Sequence, residues 1–253
     1  MNDLFSTEAL SAALGNPTQL QIHTAETTGS TNADAKHAFL DGLSAPALFA
    51  AACQTAGRGR LGRQFLSPPE SGVYFSLFTP LCRSPQSVLH VTCAAGVAVR
   101  RGILRVTGRD TAIKWVNDLR FRDRKVCGIL AEAPTVGERC GLVIGIGINL
   151  RPVALPPELS GIAGSLEDRL CHRVDLIAAC VQELLPLLNA PADAWLPEYR
   201  AHSCTLGQQV RILRDGEEIA HGIAEDVRSD GALLLRLPDG SLLPILSGEV
   251  SVR

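Results

Sequence analysis

Apolar residues along most of the chain follow two spacings, one typical of β-strands and one typical of α-helices. Alternating or continuously apolar runs bounded by polar turns predict strands. We therefore predict strands at residues 20–26, 45–53, 73–79, 108–115 and 141–150. Apolar positions three and four residues apart predict helices at 86–104, 174–189 and 193–204, the second of them interrupted by Pro186.

A further helix follows the first strand, where Ser30 or Thr31 can cap its start and Gly42 can end it. For the STN tripeptide at 30–32, capping is the simpler interpretation. A helix N-terminus also offers free N–H groups and partial positive charge, so a ligand site is the alternative.

A β-hairpin is predicted at residues 119–121 and 126–131, which flank the charged turn RDRK. The turn alone indicates a solvated tip, but Lys125 sits where the turn enters an apolar strand. Its ammonium could therefore reach inward over the sheet. Asn117 and Asp118 precede the hairpin, where an Asx-turn and a functional role are equally compatible with the spacing.

The pattern changes at Thr205, after which short alternating strands are separated by DGE, SDG and PDG turns. This pattern predicts a small antiparallel barrel of about 50 residues. We therefore divide the chain into a larger domain, 1–203, and a barrel domain, 204–253. Residues 1–19 are interpreted as an N-terminal arm or short helix of the larger domain.

Composition excludes several classes of protein. The chain has 253 residues, 46% of them hydrophobic, and a net charge of -2, which does not fit a general nucleic-acid binder. Its eight cysteines include no C-x-x-C pair and no zinc spacing, so we expect buried thiols in a reducing compartment, without disulfides or a structural metal. No secretory signal is evident, and no apolar run approaches the roughly 20 residues that span a bilayer. We expect a cytoplasmic protein without membrane contact.

The most informative stretch is residues 53–63, CQTAGRGRLGR, which we call the arginine loop. It sets Arg58, Arg60 and Arg63 among three glycines directly after an apolar run. Arginine offers planar donors that match phosphate and carboxylate oxygens, and glycine lets a backbone approach a ligand closely. The loop also satisfies G-x-G-x-x-G, but the paired prolines that follow forbid the helix that a dinucleotide site requires. The choice is then between a mobile anion-binding loop and a solvated basic loop.

Five motifs occur in order along the chain: STN (30–32), Q-x-x-G-R-G-R-x-G-R (54–63), KWVND (114–118), RKVCGIL (124–130) and GIGIN (145–149). Each is weak alone, but the ordered set closely resembles the biotin protein ligases. The resemblance implies an α+β fold, in which a catalytic domain of mixed sheet and helices, related to class II aminoacyl-tRNA synthetases and to the biotin/lipoate ligases, precedes an SH3-like C-terminal barrel.

The resemblance also implies a reaction in two steps. Biotin's carboxylate attacks the α-phosphate of ATP, giving biotinyl-5'-AMP and pyrophosphate. A lysine of the biotin carboxyl carrier domain of a biotin-dependent carboxylase then attacks this anhydride and releases AMP. Mg²⁺ is expected to neutralise phosphate charge, and the arginine loop to shield the adenylate from water.

Site residues follow from the resemblance position by position. The implied catalytic residues are Lys125, which bridges carboxylate and α-phosphate, Arg60, and Asp118, which orients Lys125 or receives a proton. The implied biotin-binding residues are Ser30, Thr31, Asn32, Gln54, Gly57, Arg58, Arg60, Lys125, Gly128 and Gly147. The implied nucleotide-binding residues are Arg58, Arg60, Arg63, Phe65, Lys114, Asn117, Lys125 and Asn149, with Phe65 in place of a tryptophan that often stacks on adenine.

The sequence departs from the family pattern at Leu61, where many members have another arginine, and at Val116, which replaces a frequent proline. Only 29 residues precede Ser30, too few for the winged helix-turn-helix of about 60 residues that some members carry, so we expect no DNA binding. A homodimer through an uncovered sheet edge is compatible with the sequence. Two alternatives stay open: a lipoate or octanoate ligase of the same superfamily, and a non-catalytic module that grips phosphates or nucleic acid.

Overall fold

The structure is a computed structural model that describes residues 5–81 and 88–252. The first four residues of the predicted arm, the first two of the predicted helix at 86–104, Cys82 and Arg253 lie outside the described residues.

Within these ranges the chain forms five α-helices and thirteen strands. The helices are α1 (Thr7–Ala13), α2 (Thr31–Leu40), α3 (Val88–Thr107), α4 (Arg173–Leu187) and α5 (Leu196–Ala201). The strands of the larger domain are β1 (Gln21–Thr28), β2 (Ala47–Gln54), β3 (Gly72–Leu81), β4 (Ala112–Lys114), β5 (Asp118–Phe121), β6 (Arg124–Glu132), β7 (Thr135–Val136) and β8 (Arg139–Asn149). Those of the C-terminal domain are β9 (Gln209–Arg214), β10 (Glu217–Val227), β11 (Leu233–Arg236), β12 (Leu242–Ile245) and β13 (Glu249–Val252).

The larger domain is built on one mixed sheet with the strand order β1-β2-β3-β8-β6-β5-β4, and β7 pairs with β8. β1 and β2 run parallel, whereas the other neighbours run antiparallel. This sheet and its helices confirm the predicted α+β class. β1 forms an outer edge, where the predicted homodimer would pair; dimerisation stays a prediction.

The two faces of this sheet differ because residues along a strand point alternately to opposite sides. On β8, Ile144, Ile146 and Ile148 point into the main apolar core, which they share with α3 and α4. Gly145 and Gly147 lie on the opposite face, and α2 covers another part of that face. The GIGI repeat thus gives one apolar face and one face without side chains.

The helices α3 and α4 cross closely at Gly102, where a Cβ would lie 2.8 Å from Cys180 Sγ and 2.9 Å from the Cys180 backbone. Burial raises the pKa of Cys180 and Cys127, and that of Cys93 to about 12. These three cysteines are buried thiols, as predicted. Among the described helices, none has the length and apolarity needed to cross a bilayer.

The C-terminal domain is an antiparallel sheet with the order β12-β11-β10-β9-β13, which agrees with the predicted SH3-like barrel. It packs against the larger domain through the turn before β11. There the Trp115 indole Nε1–H donates to the Gly231 carbonyl oxygen at 3.0 Å. The packing is so close that a Cβ on Gly231 would lie 2.6 Å from the Leu89 backbone. The two domains are therefore in direct contact at this turn.

Two predictions about secondary structure are wrong in detail. The strand predicted at 108–115 is confined to Ala112–Lys114, because Gly108 adopts a left-handed conformation with φ 66. Pro186 does not interrupt α4 but lies in its last turn. A proline there removes one hydrogen bond near the end of the helix, and the helix stops at the next residue.

The crossing of α3 and α4 gives a test of packing. We expect Gly102→Ala to lower the free energy of unfolding by about 1–3 kcal/mol, because the added methyl meets backbone that cannot move aside. Gly96→Ala in the same helix is the matched control. Its Cβ would meet Ile113 Cγ2 at 3.7 Å, an ordinary contact, so we expect no loss and a gain of up to about 1 kcal/mol. Urea unfolding of both variants measures this, and equal stabilities would contradict the close crossing.

Candidate active site

A cavity of about 780 Å³ opens on the glycine-bearing face of the sheet, beside the N-terminus of α2. This volume is typical of small-molecule sites. Among the described residues, eight cationic side chains line it: Arg58, Arg60, Arg63, Lys114, Arg122, Arg124, Lys125 and Arg151. The acidic side chains in its lining are Asp118, Glu167 and Glu249. Such an excess of positive charge, in a chain of net charge -2, favours an anionic ligand.

The floor of the cavity is a strip of backbone without side chains. Gly147 pairs directly with Gly128 on one side and with Tyr74 on the other. Residues paired in this way point to the same face, so the two glycines leave a shared gap. The ring of Phe65 lies in that gap, so near that a Cβ on Gly147 would be 2.5 Å from it.

The stacking of Phe65 on adenine stays a prediction, and the structure shows only the contacts that its ring makes within the protein. The ring faces the glycines that the sequence assigned to biotin, and it packs edge-on against Tyr74 with the ring centroids 6.4 Å apart. The reason is steric, because the missing side chains of Gly128 and Gly147 leave a space that a ring can fill.

Gly57, predicted to contact biotin through its backbone, is not among the residues that line the cavity, and that contact stays a prediction. A Cβ at Gly57 would lie 2.4 Å from the Phe65 carbonyl oxygen and 2.8 Å from Ser67 Oγ. The glycine is thus required where the two ends of the arginine loop meet.

One end of the floor carries the polar residues at the start of α2. Thr31 donates to Gln54 Oε1 from its backbone N–H at 2.9 Å and from its hydroxyl at 3.2 Å. Gln54 Nε2 in turn donates to Ser67 Oγ at 2.9 Å. Ser30 holds the N-cap position, yet its side chain makes no capping bond within the described part of the chain. The capping interpretation is therefore wrong for the Ser30 hydroxyl, which lines the cavity.

The arginine loop is folded back on itself. The Gly59 N–H donates to the Arg63 carbonyl at 2.7 Å, and the Phe65 N–H donates to the Gly57 carbonyl at 2.9 Å. Between them Leu61 adopts a left-handed conformation with φ 56, and its side chain is 61% exposed. The turn therefore presents Leu61 to solvent and to the mouth of the cavity.

The three arginines of the loop have different surroundings. Arg60 donates from Nη1 to Asn117 Oδ1 at 3.0 Å, and its pKa is lowered by burial, an effect opposed by Asp118 and Glu249. Arg63 reaches across to the C-terminal domain, where its Nη2 lies 2.6 Å from Glu249 Oε2. Arg58 is exposed at the cavity wall. The loop is thus held at two points by contacts outside it.

A β-bulge turns Lys125 into the cavity. β5 pairs Leu119 with Cys127 but Arg120 with Lys125, so Val126 is the extra residue on β6. Without the bulge Lys125 and Gly128 would point to opposite faces; with it they share one face. The Lys125 Nζ would lie 3.4 Å from a Cβ on Gly128. The predicted inward direction of Lys125 is confirmed.

Asp118 connects the cations around it. Its carboxylate lies 2.7 Å from Lys125 Nζ, and it pairs across the β4–β5 turn with Lys114. Burial lowers the pKa of Lys114, and the Asp118 charge opposes this shift. One carboxylate therefore stabilises several closely spaced cations.

Two asparagines position the chain around these charges. Asn117 Nδ2 donates to the Ile129 carbonyl at 3.1 Å, which locks it against β6 instead of forming the Asx-turn considered above. Asn149 Nδ2 donates to the Gly164 carbonyl at 2.9 Å. Both lie in the cavity lining, where sequence reasoning expected them.

Sequence reasoning did not single out Ser76, Glu132 or Glu249. Ser76 had a signal, since it is a polar residue inside the apolar run VYFSLF. Glu249 had none, because its role depends on how the C-terminal domain lies against the loop. Asn32, predicted to bind biotin, is buried at the cavity wall and its amide is engaged by Ser76, Leu130 and Glu132.

Two family models match the chain. The Biotin/lipoate A/B protein ligase family matches residues 24–149, and the Biotin protein ligase C terminal domain matches residues 205–253.

Several curated relatives are similar over much of the chain. The biotin–acetyl-CoA-carboxylase ligase of Mycobacterium tuberculosis is 30% identical over 246 residues, covering 91% of this chain and 88% of that relative. The ligase of the same name from Paracoccus denitrificans is 33% identical over 230 residues, covering 84% and 93%. The bifunctional ligase/repressor BirA of Escherichia coli is 32% identical over 209 residues, which span 79% of this chain but only 64% of that relative.

A solved structure is similar over nearly the whole fold. The biotin protein ligase from Aquifex aeolicus, in complex with biotin and ATP, superposes with a TM-score of 0.78 at 26% identity. The match covers 92% of this chain and 98% of that chain.

The contact between Arg63 and Glu249 predicts how the arginine loop responds to trypsin. Glu249→Gln removes an exposed ion pair worth about 0.2–1 kcal/mol, so we expect cleavage after the loop arginines to be about 1.5- to 5-fold faster. The control is Glu225→Gln, which removes the contact with Arg236 within the C-terminal domain. Equal cleavage rates in the wild type and Glu249→Gln, at low salt, would contradict a loop held by this pair.

Proposed function

The chain belongs to the biotin protein ligase family, and we propose that it is an ATP-dependent enzyme that joins biotin to a lysine of a biotin carboxyl carrier domain. The observation that carries this proposal is the convergence of Lys125, Asp118 and the glycine floor in one cavity. The glycines leave space above the sheet, part of which the Phe65 ring fills, and the Lys125 ammonium stands beside that space.

In the first step the biotin carboxylate attacks the α-phosphorus of ATP, and the bond to the bridging oxygen breaks as pyrophosphate leaves. Both reactants are anions, so their approach needs fixed positive charge that is in position before they bind. Lys125, held at 2.7 Å by Asp118, supports this role at the carboxylate and α-phosphate. Arg60, Arg58, Arg63 and Lys114 add charge along the nucleotide side, with Asn117 and Asn149 at its margins.

In the second step the neutral amine of the carrier lysine attacks the acyl carbon of biotinyl-5'-AMP. AMP leaves with the bonding electrons, and the amine loses a proton. The close contact between Asp118 and Lys125 favours the orienting role for Asp118 over the role of proton acceptor.

The polar end of the floor suits the ureido ring of biotin, which has one acceptor oxygen and two N–H donors. The Ser30 hydroxyl can donate to the oxygen, and Thr31 and Gln54 lie beside it. Phe65, from its contact with Gly147, is assigned to the biotin side of the cavity instead of the adenine side.

Mg²⁺ is expected to accompany ATP. Within residues 5–81 and 88–252 no group of three or more His, Cys, Asp or Glu side chains forms a metal cage. Asp118 and Glu249 are moreover paired with cations. We therefore propose that phosphate oxygens and water hold the ion, as is common for Mg²⁺.

The relatives from Mycobacterium tuberculosis and Paracoccus denitrificans are both named biotin ligases. Their names favour biotin over lipoate or octanoate as the substrate, and a ligase over a phosphate-binding module. We propose a cytoplasmic location, because the reaction uses ATP and a carboxylase domain.

Exchange of labelled pyrophosphate into ATP tests the proposed function. Biotin-dependent exchange supports it, lipoate-dependent exchange indicates the related acyl ligase, and salt-sensitive DNA binding without exchange indicates the binding module.

We expect Lys125→Ala to lower biotin-dependent exchange by about 10³-fold, because it removes the charge at the reacting centre. The control is Arg214→Ala, an exposed cation of the C-terminal domain that donates to Ser247. Exchange in Lys125→Ala close to that of the control would remove Lys125 from the mechanism.

We expect Arg60→Gly to release its intermediate. The variant loses the Arg60–Asn117 hydrogen bond that closes the loop over the cavity. Free biotinyl-5'-AMP and labelling of unrelated lysines should rise by about tenfold. If the variant retains the adenylate as tightly as the wild type, the loop does not act as a cover.

A further inference from the structure

A buried serine lies behind the polar end of the cavity, in the middle of β3. Ser76 is fully buried, between Phe75 and Leu77, and it points to the cavity face of the sheet. Its partner across the sheet is Gly145. A Cβ on Gly145 would lie 1.9 Å from Asn32 Oδ1, so the glycine is what allows the Asn32 amide to approach Ser76.

A chain of hydrogen bonds leads to Ser76 from the edge of the site. Lys36 Nζ lies 2.7 Å from Glu132 Oε1, and this pair fixes the carboxylate. Asn32 Nδ2 donates to Glu132 Oε2 at 2.9 Å and to the Leu130 carbonyl at 3.3 Å. Both amide hydrogens are therefore committed, and the Asn32 oxygen must point toward Ser76 as an acceptor.

Ser76 fixes which hydrogen-bonding role Thr31 takes. The Ser76 hydroxyl has one hydrogen, and Asn32 Oδ1, an acceptor 2.6 Å away, takes it. Ser76 Oγ therefore presents lone pairs to Thr31 Oγ1 at 2.8 Å, so the Thr31 hydroxyl hydrogen has two acceptors within the protein, Ser76 Oγ and Gln54 Oε1. With that hydrogen committed, the Thr31 oxygen can only accept a hydrogen bond from a ligand.

We propose that Ser76 is a positioning residue that sets Thr31 as the acceptor for an N–H group of the bound ligand. This inference rests on the proposed function, in which that N–H belongs to the ureido ring of biotin. Ser76 does not touch the ligand. It acts through Thr31, and the Lys36–Glu132 pair anchors the direction of the chain.

A double-mutant cycle tests this inference in the pyrophosphate exchange assay. We expect Ser76→Ala to raise the KM for biotin by about tenfold, with the KM for ATP and kcat within about twofold of the wild type. Thr31→Val, which keeps the shape but not the hydroxyl, should raise the biotin KM by a similar factor. Because both changes remove one interaction, the double variant should resemble the worse single variant instead of showing their product.

A purely structural role for Ser76 gives a different result. In that case the two increases in biotin KM multiply to about 100-fold, and the inference is overturned. An unchanged biotin KM in folded Ser76→Ala overturns it as well. Thr92→Val is the matched control, because Thr92 is a buried hydroxyl in α3 that donates to its own helix at the Val88 carbonyl. Its biotin KM should be that of the wild type.

A second variant covers the case in which Ser76→Ala does not fold, as judged by its unfolding midpoint. Glu132→Gln lies at the edge of the chain, where the side chain is 29% exposed. A glutamine has only one acceptor oxygen, so its NH₂ group would face either the NH₂ of Asn32 or the ammonium of Lys36, donor against donor. We therefore expect a three- to tenfold higher biotin KM. An unchanged biotin KM in Glu132→Gln overturns the inference about Ser76 and leaves the proposed function standing. Absence of biotin-dependent exchange in the wild type would instead overturn the proposed function.

Discussion

The site depends on one carboxylate that holds several cations close together beside a surface without side chains. Asp118 contacts Lys125 at 2.7 Å and opposes the lowering of the pKa that burial causes in both Lys114 and Arg60. Without a negative charge among them, these groups would repel one another and would lose their hydration at high cost. With it they form a compact positive surface whose full compensation comes only from an anionic ligand. The lining of the cavity thus carries more positive than negative charge.

The direction of Lys125 depends on a single extra residue in the backbone. Simple alternation along β6 would point Lys125 into the helical core, where an ammonium would be severely destabilised. The bulge at Val126 reverses that direction and brings Lys125 onto the face of Gly128. The same bulge leaves Val126 and Cys127 on the apolar side, where both are fully buried. One bulge therefore keeps the apolar side chains in the core and places the Lys125 ammonium in the cavity.

The sequence was informative wherever the chemistry is local. The arginine loop, the inward Lys125 and the glycines of β8 each have a signal within a few residues. The surroundings of Gly57 and Phe65 could not be predicted, because they depend on contacts between distant segments. Gly57 is explained by the carbonyl of Phe65, and Phe65 by the gap above Gly147, and neither is visible without the register of the sheet. Capping by Ser30 was a reasonable default, but the hydroxyl lies at the cavity instead of at the helix backbone.

The two ends of the cavity differ in the interactions that they offer, and the sheet fixes the distance between them. At Gly145 the buried hydrogen bonds through Ser76 offer directional contacts, because a hydrogen bond distinguishes a donor from an acceptor. At Gly147 and Gly128 the cations specify charge, which has little directional preference. The two levels are two residues apart on β8, about 7 Å along an antiparallel strand. A strand in a paired sheet cannot change that spacing, since a slip of one residue would turn the glycines into the core and the isoleucines into the cavity. The register of the sheet therefore fixes the spacing between the glycine level that Ser76 faces and the glycine level that lies beside Lys125.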